Sequence, residues 1–199
     1  MATGVSGIAI LGWGSLLWEP HAAFDDTHGQ WLRSGPALSL EFSRISRSRL
    51  DALTLVIDSK NGRKTIVSYC ISNRKNLDDA ICDLRCREGT PLTNIGFIER
   101  STGRRNCDDK ELFAVLSAWL ERENIRENID AVVWTNLKSN FDHKHHKPFS
   151  ISEAIYHLQS LSPEAKVKAA EYVWRAPKFV HTHLRYKLET KPWFQRVGN

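Results

Sequence analysis

A chain of 199 residues, 41% hydrophobic and 26% charged, has the size and balance of one globular domain with its own core. No apolar run approaches the roughly 20 residues that cross a bilayer, and no basic segment precedes the first apolar run. A membrane span and a secretory leader are therefore not expected, and a single cytoplasmic domain over residues 1–199 is. The formal net charge of +5 suits an acidic small molecule or a nucleic acid without choosing between them.

The first predicted element is a buried strand through Ile8, Ala9, Ile10 and Leu11, which runs straight into GWGSLLW at 12–18. Gly12 and Gly14 flank Trp13, so the strand is expected to end in a tight loop. Residues 19–35 carry Pro20, Gly29 and Gly35 among polar side chains and predict a connection with one short helical turn. Leu38, Leu40, Phe42 and Ile45 then roughly alternate with polar residues. Leu53, Leu55, Val56 and Ile57 form a second apolar run, and residues 65–71 a third strand. Asn61-Gly62, ahead of that third strand, predicts a two-residue type I′ hairpin and hence an antiparallel meander.

Asn76 caps a predicted helix that buries Leu77, Ala80, Ile81 and Leu84 and stops near Gly89 and Pro91. A short strand follows at 94–99. Asp108 with Glu111 reads as a capping box for a helix burying Leu112, Val115, Leu116 and Trp119. Ala131, Val132, Val133 and Trp134 make a core strand, residues 135–148 a polar loop rich in histidine and lysine, and Ser150 and Ser162 open two more helices. The four cysteines, Cys70, Cys82, Cys86 and Cys107, form no CxxC, so buried thiols are expected rather than disulfides or zinc. Strands first and helices later is an α+β pattern.

The loop carries the first candidate chemistry. Glycine permits positive φ and close approach, so the N–H groups of Trp13, Gly14, Ser15 and Leu16 can converge on an anionic oxygen. The alternative is a turn that uses glycine for its backbone angles alone. A Walker loop is excluded, because the GK[ST] ending is missing and the glycines stand two apart.

A strand entering GWGSLLWEP resembles the substrate loop of the γ-glutamylcyclotransferase-like superfamily, nearest its glutathione-specific (ChaC-like) branch. Trp13 stands where that family usually has tyrosine. The resemblance implies a small, mixed, mostly antiparallel β-barrel with peripheral helices. It also implies cyclisation of a γ-glutamyl amide to 5-oxoproline with no cofactor and no metal, and a substrate-binding role for Gly12, Trp13, Gly14, Ser15 and Leu16. The branch's general base is a glutamate in a Leu-x-x-Arg-Glu motif followed by Gly and an aromatic. Leu84-Arg85-Cys86-Arg87-Glu88 matches it in part, with Gly96-Phe97 further along than in the family. Glu88 is thus the expected catalytic base, and Arg85 and Arg87 are expected to hold a substrate carboxylate.

Other residues compete. Glu41 is an alternative base, although the alternation of its strand predicts a polar outer face for it. Ser15 lacks the GxSxG setting of a serine nucleophile and is given a binding role. His143, His145 and His146 with His181 and His183 offer imidazoles for a metal, yet the neighbouring lysines favour a solvated basic loop. Arg44, Arg47 and Arg49, with Arg104 and Arg105, form the one candidate phosphate-backbone patch. A non-catalytic small-molecule or nucleic-acid-binding protein on the same fold is therefore the second reading.

Overall fold

The computed structural model describes residues 7–195. They divide into two compact units that exchange the chain several times. The first takes the segment up to Gly12 and residues 19–37 and 66–137; the second takes residues 13–18, 38–65 and 138 onward.

The first unit holds β1 (Gly7–Gly12), α1 (Ala22–Asp25), and a set of elements that begins beyond residue 66. The second unit's early strands come between them in sequence: β2 (Ala37–Ser46), β3 (Ala52–Ile57) and β4 (Arg63–Ile66). Then follow β5 (Ser68–Ile71), α2 (Leu77–Glu88), β6 (Ile95–Glu99), β7 (Arg105–Asn106), α3 (Lys110–Leu120), α4 (Glu123–Arg126) and β8 (Ile129–Thr135) in the first unit. The second unit ends with α5 (Phe141–His145), α6 (Ile151–Ser160), α7 (Pro163–Arg175) and α8 (His183–Leu188).

The sheet of the first unit runs β5-β1-β8-β6-β7 and is mixed: β1 pairs antiparallel with β5 and parallel with β8, and β6 pairs antiparallel with both β8 and β7. Ile8, Ala9, Ile10 and Leu11 are all buried, as a strand flanked on both edges and covered on its faces requires. Helix α2 packs on β8, β6 and β1, and α3 packs on β8. Gly96 lies opposite Trp134 in the register, and a β-carbon there would sit 2.2 Å from the indole. Glycine is needed at that position so that the ring can lie over the backbone.

The second unit has a three-stranded sheet, β3-β2-β4. Among the described residues the chain is thus an α+β fold with two open sheets and no closed barrel. The predicted meander is corrected here. The β2–β3 hairpin closes through residues 47–51, with Leu50 and Asp51 at positive φ (54° and 61°), and β4 pairs on the far side of β2 instead of with β3. Asn61-Gly62 is consequently no type I′ turn. Neither residue has positive φ, and the bend is held by Gly62 N–H to the Asp58 carbonyl (2.8 Å) and by the Asp58 carboxylate accepting from Asn61 N–H (2.9 Å). The predicted strand at 65–71 is likewise two strands, β4 and β5, which serve different sheets.

The helix ends follow their local signals more closely. Asn76 accepts from Asp79 N–H and Gly89 closes α2 at φ 56°; Ser150 and Ser162 cap α6 and α7. Helix α3 is capped by Asp109, not Asp108, because Asp109 reaches the N–H groups of Glu111 and Leu112. Its Val115 is half-buried, on the margin of the core face. Cys82 and Cys86 are exposed and unbridged, against the expectation of buried thiols: they fall opposite the face of α2 that buries Leu77, Ala80, Ile81 and Leu84.

Candidate functional site

The candidate residues fall in both units. Gly12, Arg85, Arg87 and Glu88 belong to the first, and residues 13–16 to the second.

Beyond Gly12, the loop makes a single 3-10 turn over Ser15–Leu17. Leu17 N–H donates to the Gly14 carbonyl (3.0 Å) and Trp18 N–H to the Ser15 carbonyl (3.2 Å). Among the described residues, the N–H groups of Trp13, Gly14, Ser15 and Leu16 have no acceptor within the protein. Such donors leave a loop ready to receive an oxygen. The Trp13 indole is 5% exposed and directs Nε1 at the Leu55 carbonyl (3.4 Å), so it anchors the loop on β3.

Tyr172 is a neighbour that sequence reasoning missed. Its hydroxyl lies 3.2 Å from where a Gly14 β-carbon would stand. The ring is buried, edge-on to Trp18 (5.4 Å between centroids) and Phe42 (6.2 Å), with the Arg49 guanidinium over it at 4.7 Å. In sequence Tyr172 is one position of the apolar stripe of α7, and nothing local separates it from Ala165, Ala169 and Val173. A phenol hydroxyl therefore stands beside the loop, although Trp13 supplies none.

In the first unit, α2 sets out the other residues on its last turn. Glu88 is half-buried. Arg87 directs Nη2 at the Glu19 carbonyl (3.2 Å) and lies 4.0 Å from the Glu19 carboxylate, with its side chain 11% exposed. Its buried Nε has no acceptor among the described residues. Glu19 is thus half-buried and engaged with Arg87. Arg85 is exposed and lies against the Cys86 sulfur (3.8 Å), so the two arginines diverge: Arg87 to Glu19, Arg85 to a thiol face.

Glu41 is no outward residue. It is 0% exposed, and its Oε1 accepts from Phe42 N–H (2.8 Å) while Oε2 accepts from His183 N–H (3.0 Å) and Leu184 N–H (3.3 Å). The Thr182 hydroxyl is also bonded to it. Burial raises its pKa, and these hydrogen bonds oppose the rise without cancelling it. Glu41 holds the first turn of α8 and is closed to substrate.

The remaining groups are dispersed. Arg44 donates to the Lys138 carbonyl (2.8 Å), its pKa lowered by burial, and Arg49 lies on Tyr172, which leaves Arg47 exposed. Among the histidines, His145 meets His157 (Nε2 to Nδ1, 3.0 Å), and no group of three or more metal-ligating side chains forms among the described residues. No described helix is long and apolar enough to cross a membrane. Gly96, matched in sequence to a family motif, has a packing role under Trp134, and Phe97 lines a cavity with Arg85. Set against family profiles, characterised proteins and solved structures, the chain matches none.

Proposed function

We propose that the protein is a γ-glutamylcyclotransferase-like enzyme of the cytoplasm. It would cyclise a γ-glutamyl amide or peptide to 5-oxoproline without a cofactor, and the barrel-like sheet belongs to the same proposal. The observation that carries it is the set of unengaged N–H groups on Trp13, Gly14, Ser15 and Leu16 in a loop entered from a core strand. Donors fixed before substrate arrives stabilise a developing oxyanion without reorganising.

Glu88 takes a proton from the substrate's α-ammonium. The freed amine attacks the γ-carbonyl carbon, forming the ring C–N bond and an oxyanion. Collapse of that intermediate breaks the original amide C–N bond as the leaving nitrogen takes the proton from Glu88, and the ring nitrogen sheds its remaining surplus proton, which the released amine takes up as ammonium. Because the nucleophile is part of the substrate, orientation supplies most of the acceleration. Arg87, with a buried Nε that lacks an acceptor, is the group that would hold the substrate's carboxylate.

The test is 5-oxoproline release from glutathione and from a panel of γ-glutamyl amino acids. Glu88→Gln keeps the shape and deletes the proton acceptor, so release should fall by about 10² to 10⁴. Equal rates for the two proteins would refute the role of Glu88; no release by the unaltered protein on any substrate would refute the reading as a whole.

A further inference from the structure

Helix α2 carries two thiols on its exposed side. Cys82 and Cys86 stand four residues apart, both exposed and unbridged, opposite the face that buries Leu77, Ala80, Ile81 and Leu84. That spacing puts their β-carbons about 5–6 Å apart, one turn above the other. A disulfide needs about 3.5–4.5 Å between β-carbons, so the intact helix keeps the sulfurs as a pair of thiols. The Arg85 guanidinium joins them: Nη2 lies 3.8 Å from the Cys86 sulfur, and the same side chain also hydrogen-bonds the Cys82 sulfur. The carboxylates on the neighbouring turns are engaged elsewhere. Asp78 pairs with Arg104 (2.7 Å), Asp83 pairs with Arg74 (2.7 Å), and Asp79 accepts from Asn76 Nδ2 (2.6 Å). Among the described residues, no third histidine, cysteine or carboxylate completes a cluster around the two thiols.

We propose that Cys82 and Cys86 form a two-thiolate site for a soft monovalent metal ion, copper(I). An ion set between the sulfurs spans a gap that a direct bond is too short to close: two metal–sulfur bonds of about 2.3 Å each stand in place of one S–S bond of about 2.05 Å. Soft thiolates select copper(I), whereas zinc takes four ligands, of which α2 supplies two. Copper(I) displaces two thiol protons, which pass to solvent, and no electron is transferred. The resulting bis-thiolate unit carries one net negative charge. The Arg85 guanidinium, already in contact with both sulfurs, carries the matching positive charge and donates to them, so it is a charge partner of the site and not a ligand. The site needs neither Glu88 nor residues 13–16. It therefore stands or falls independently of the proposed cyclisation.

The probe is copper(I) itself, transferred without oxygen to the full chain from a coloured copper(I) chelator. One ion per chain should transfer, X-ray absorption should find two sulfurs on the metal, and loading should leave the elution volume on gel filtration unchanged. Cys82→Ser and Cys86→Ser should each weaken binding by at least about a hundredfold, because one thiolate is left where two acted as a chelate. Cys107→Ser should bind as the unaltered protein does. Both thiols of the site are exposed, so serine fits in their place; circular dichroism and Tm confirm that each variant is folded. Arg85→Ala should weaken binding by about tenfold, as loss of a group that supports metal ligands does, and Arg85→Lys should recover most of that loss. Zinc offered in place of copper(I) should not bind. Affinity unchanged by either serine substitution would overturn the proposal. So would a copper-dependent dimer, in which the ion is shared between two chains, or zinc held as tightly as copper(I).

Discussion

The carboxylate of Glu41 has exchanged water for three main-chain N–H groups and the Thr182 hydroxyl. Desolvation still dominates and raises its pKa, so the folded state holds this proton more tightly than the unfolded chain does. The sign follows: the linked stabilisation is complete below about pH 4.5, the ordinary value, and is lost as pH rises through the folded pKa. Glu41→Gln turns an NH₂ group on to donors that need an acceptor. Urea unfolding at pH 7 should find it less stable by about 1–3 kcal/mol, the usual consequence of leaving buried polar groups unpaired. No loss would mean that the start of α8 does not depend on this carboxylate. Tyr172 offers the complementary case at the loop. Tyr172→Phe deletes only the hydroxyl beside Gly14, so 5-oxoproline release should fall while thermal stability changes by no more than about 1 kcal/mol. Unchanged release would place the hydroxyl outside the substrate's reach.

Helix α2 was legible in the sequence because its determinants lie within fourteen consecutive residues: Asn76 caps it, an apolar face follows at helical spacing, and Gly89 ends it. The β3-β2-β4 order was not legible, because Asn61-Gly62 reports only the local bend. Which edge of β2 receives β4 is not written in that dipeptide. The positive φ values at Leu50 and Asp51 were hidden for a related reason: aspartate tolerates the left-handed region, but nothing about the leucine before it announces a turn of that kind. At the two ends of α2 the energetics can be separated. Asn76→Ala removes one capping bond and should lower stability by about 1 kcal/mol. Gly89→Ala places a β-carbon where nothing lies within 4 Å, at φ 56°, so its loss of about 1–2 kcal/mol is backbone strain alone. Gly96→Ala, by contrast, drives the new carbon into the Trp134 indole and should exceed both. Denaturant midpoints for the three variants check the ranking, and a Gly96→Ala protein as stable as Asn76→Ala would contradict the packing of β6 under that ring.

Across the whole molecule, the long-range pairings were the least legible part. β1 pairs in parallel with β8, more than a hundred residues later, and a buried apolar run carries no record of its partner. The basic, histidine-rich stretch at 135–148 reads locally as a solvated loop, yet it folds into α5 around a fully buried Phe141 and brings His145 to His157. That pairing fixes the tautomers. His157 Nε2 lies 2.8 Å from the Asp51 carbonyl, so it donates there; the neutral ring then accepts at Nδ1, and His145 Nε2 is the donor between the rings. Burial first, and then the facing His157, lower the His145 pKa from its ordinary 6.5; Glu153 opposes this and Lys147 adds to it. A base with a depressed folded pKa binds fewer protons folded than unfolded, so acidification favours the unfolded chain. The loss of stability should begin as pH falls through about 6.5 and be complete once pH is below the folded pKa. His145→Gln keeps an N–H donor for His157 and removes the titration. Thermal unfolding followed at a series of pH values should give it a flatter profile below about pH 6.5 than the unaltered protein. Identical slopes in the two proteins would assign the acid sensitivity to other groups.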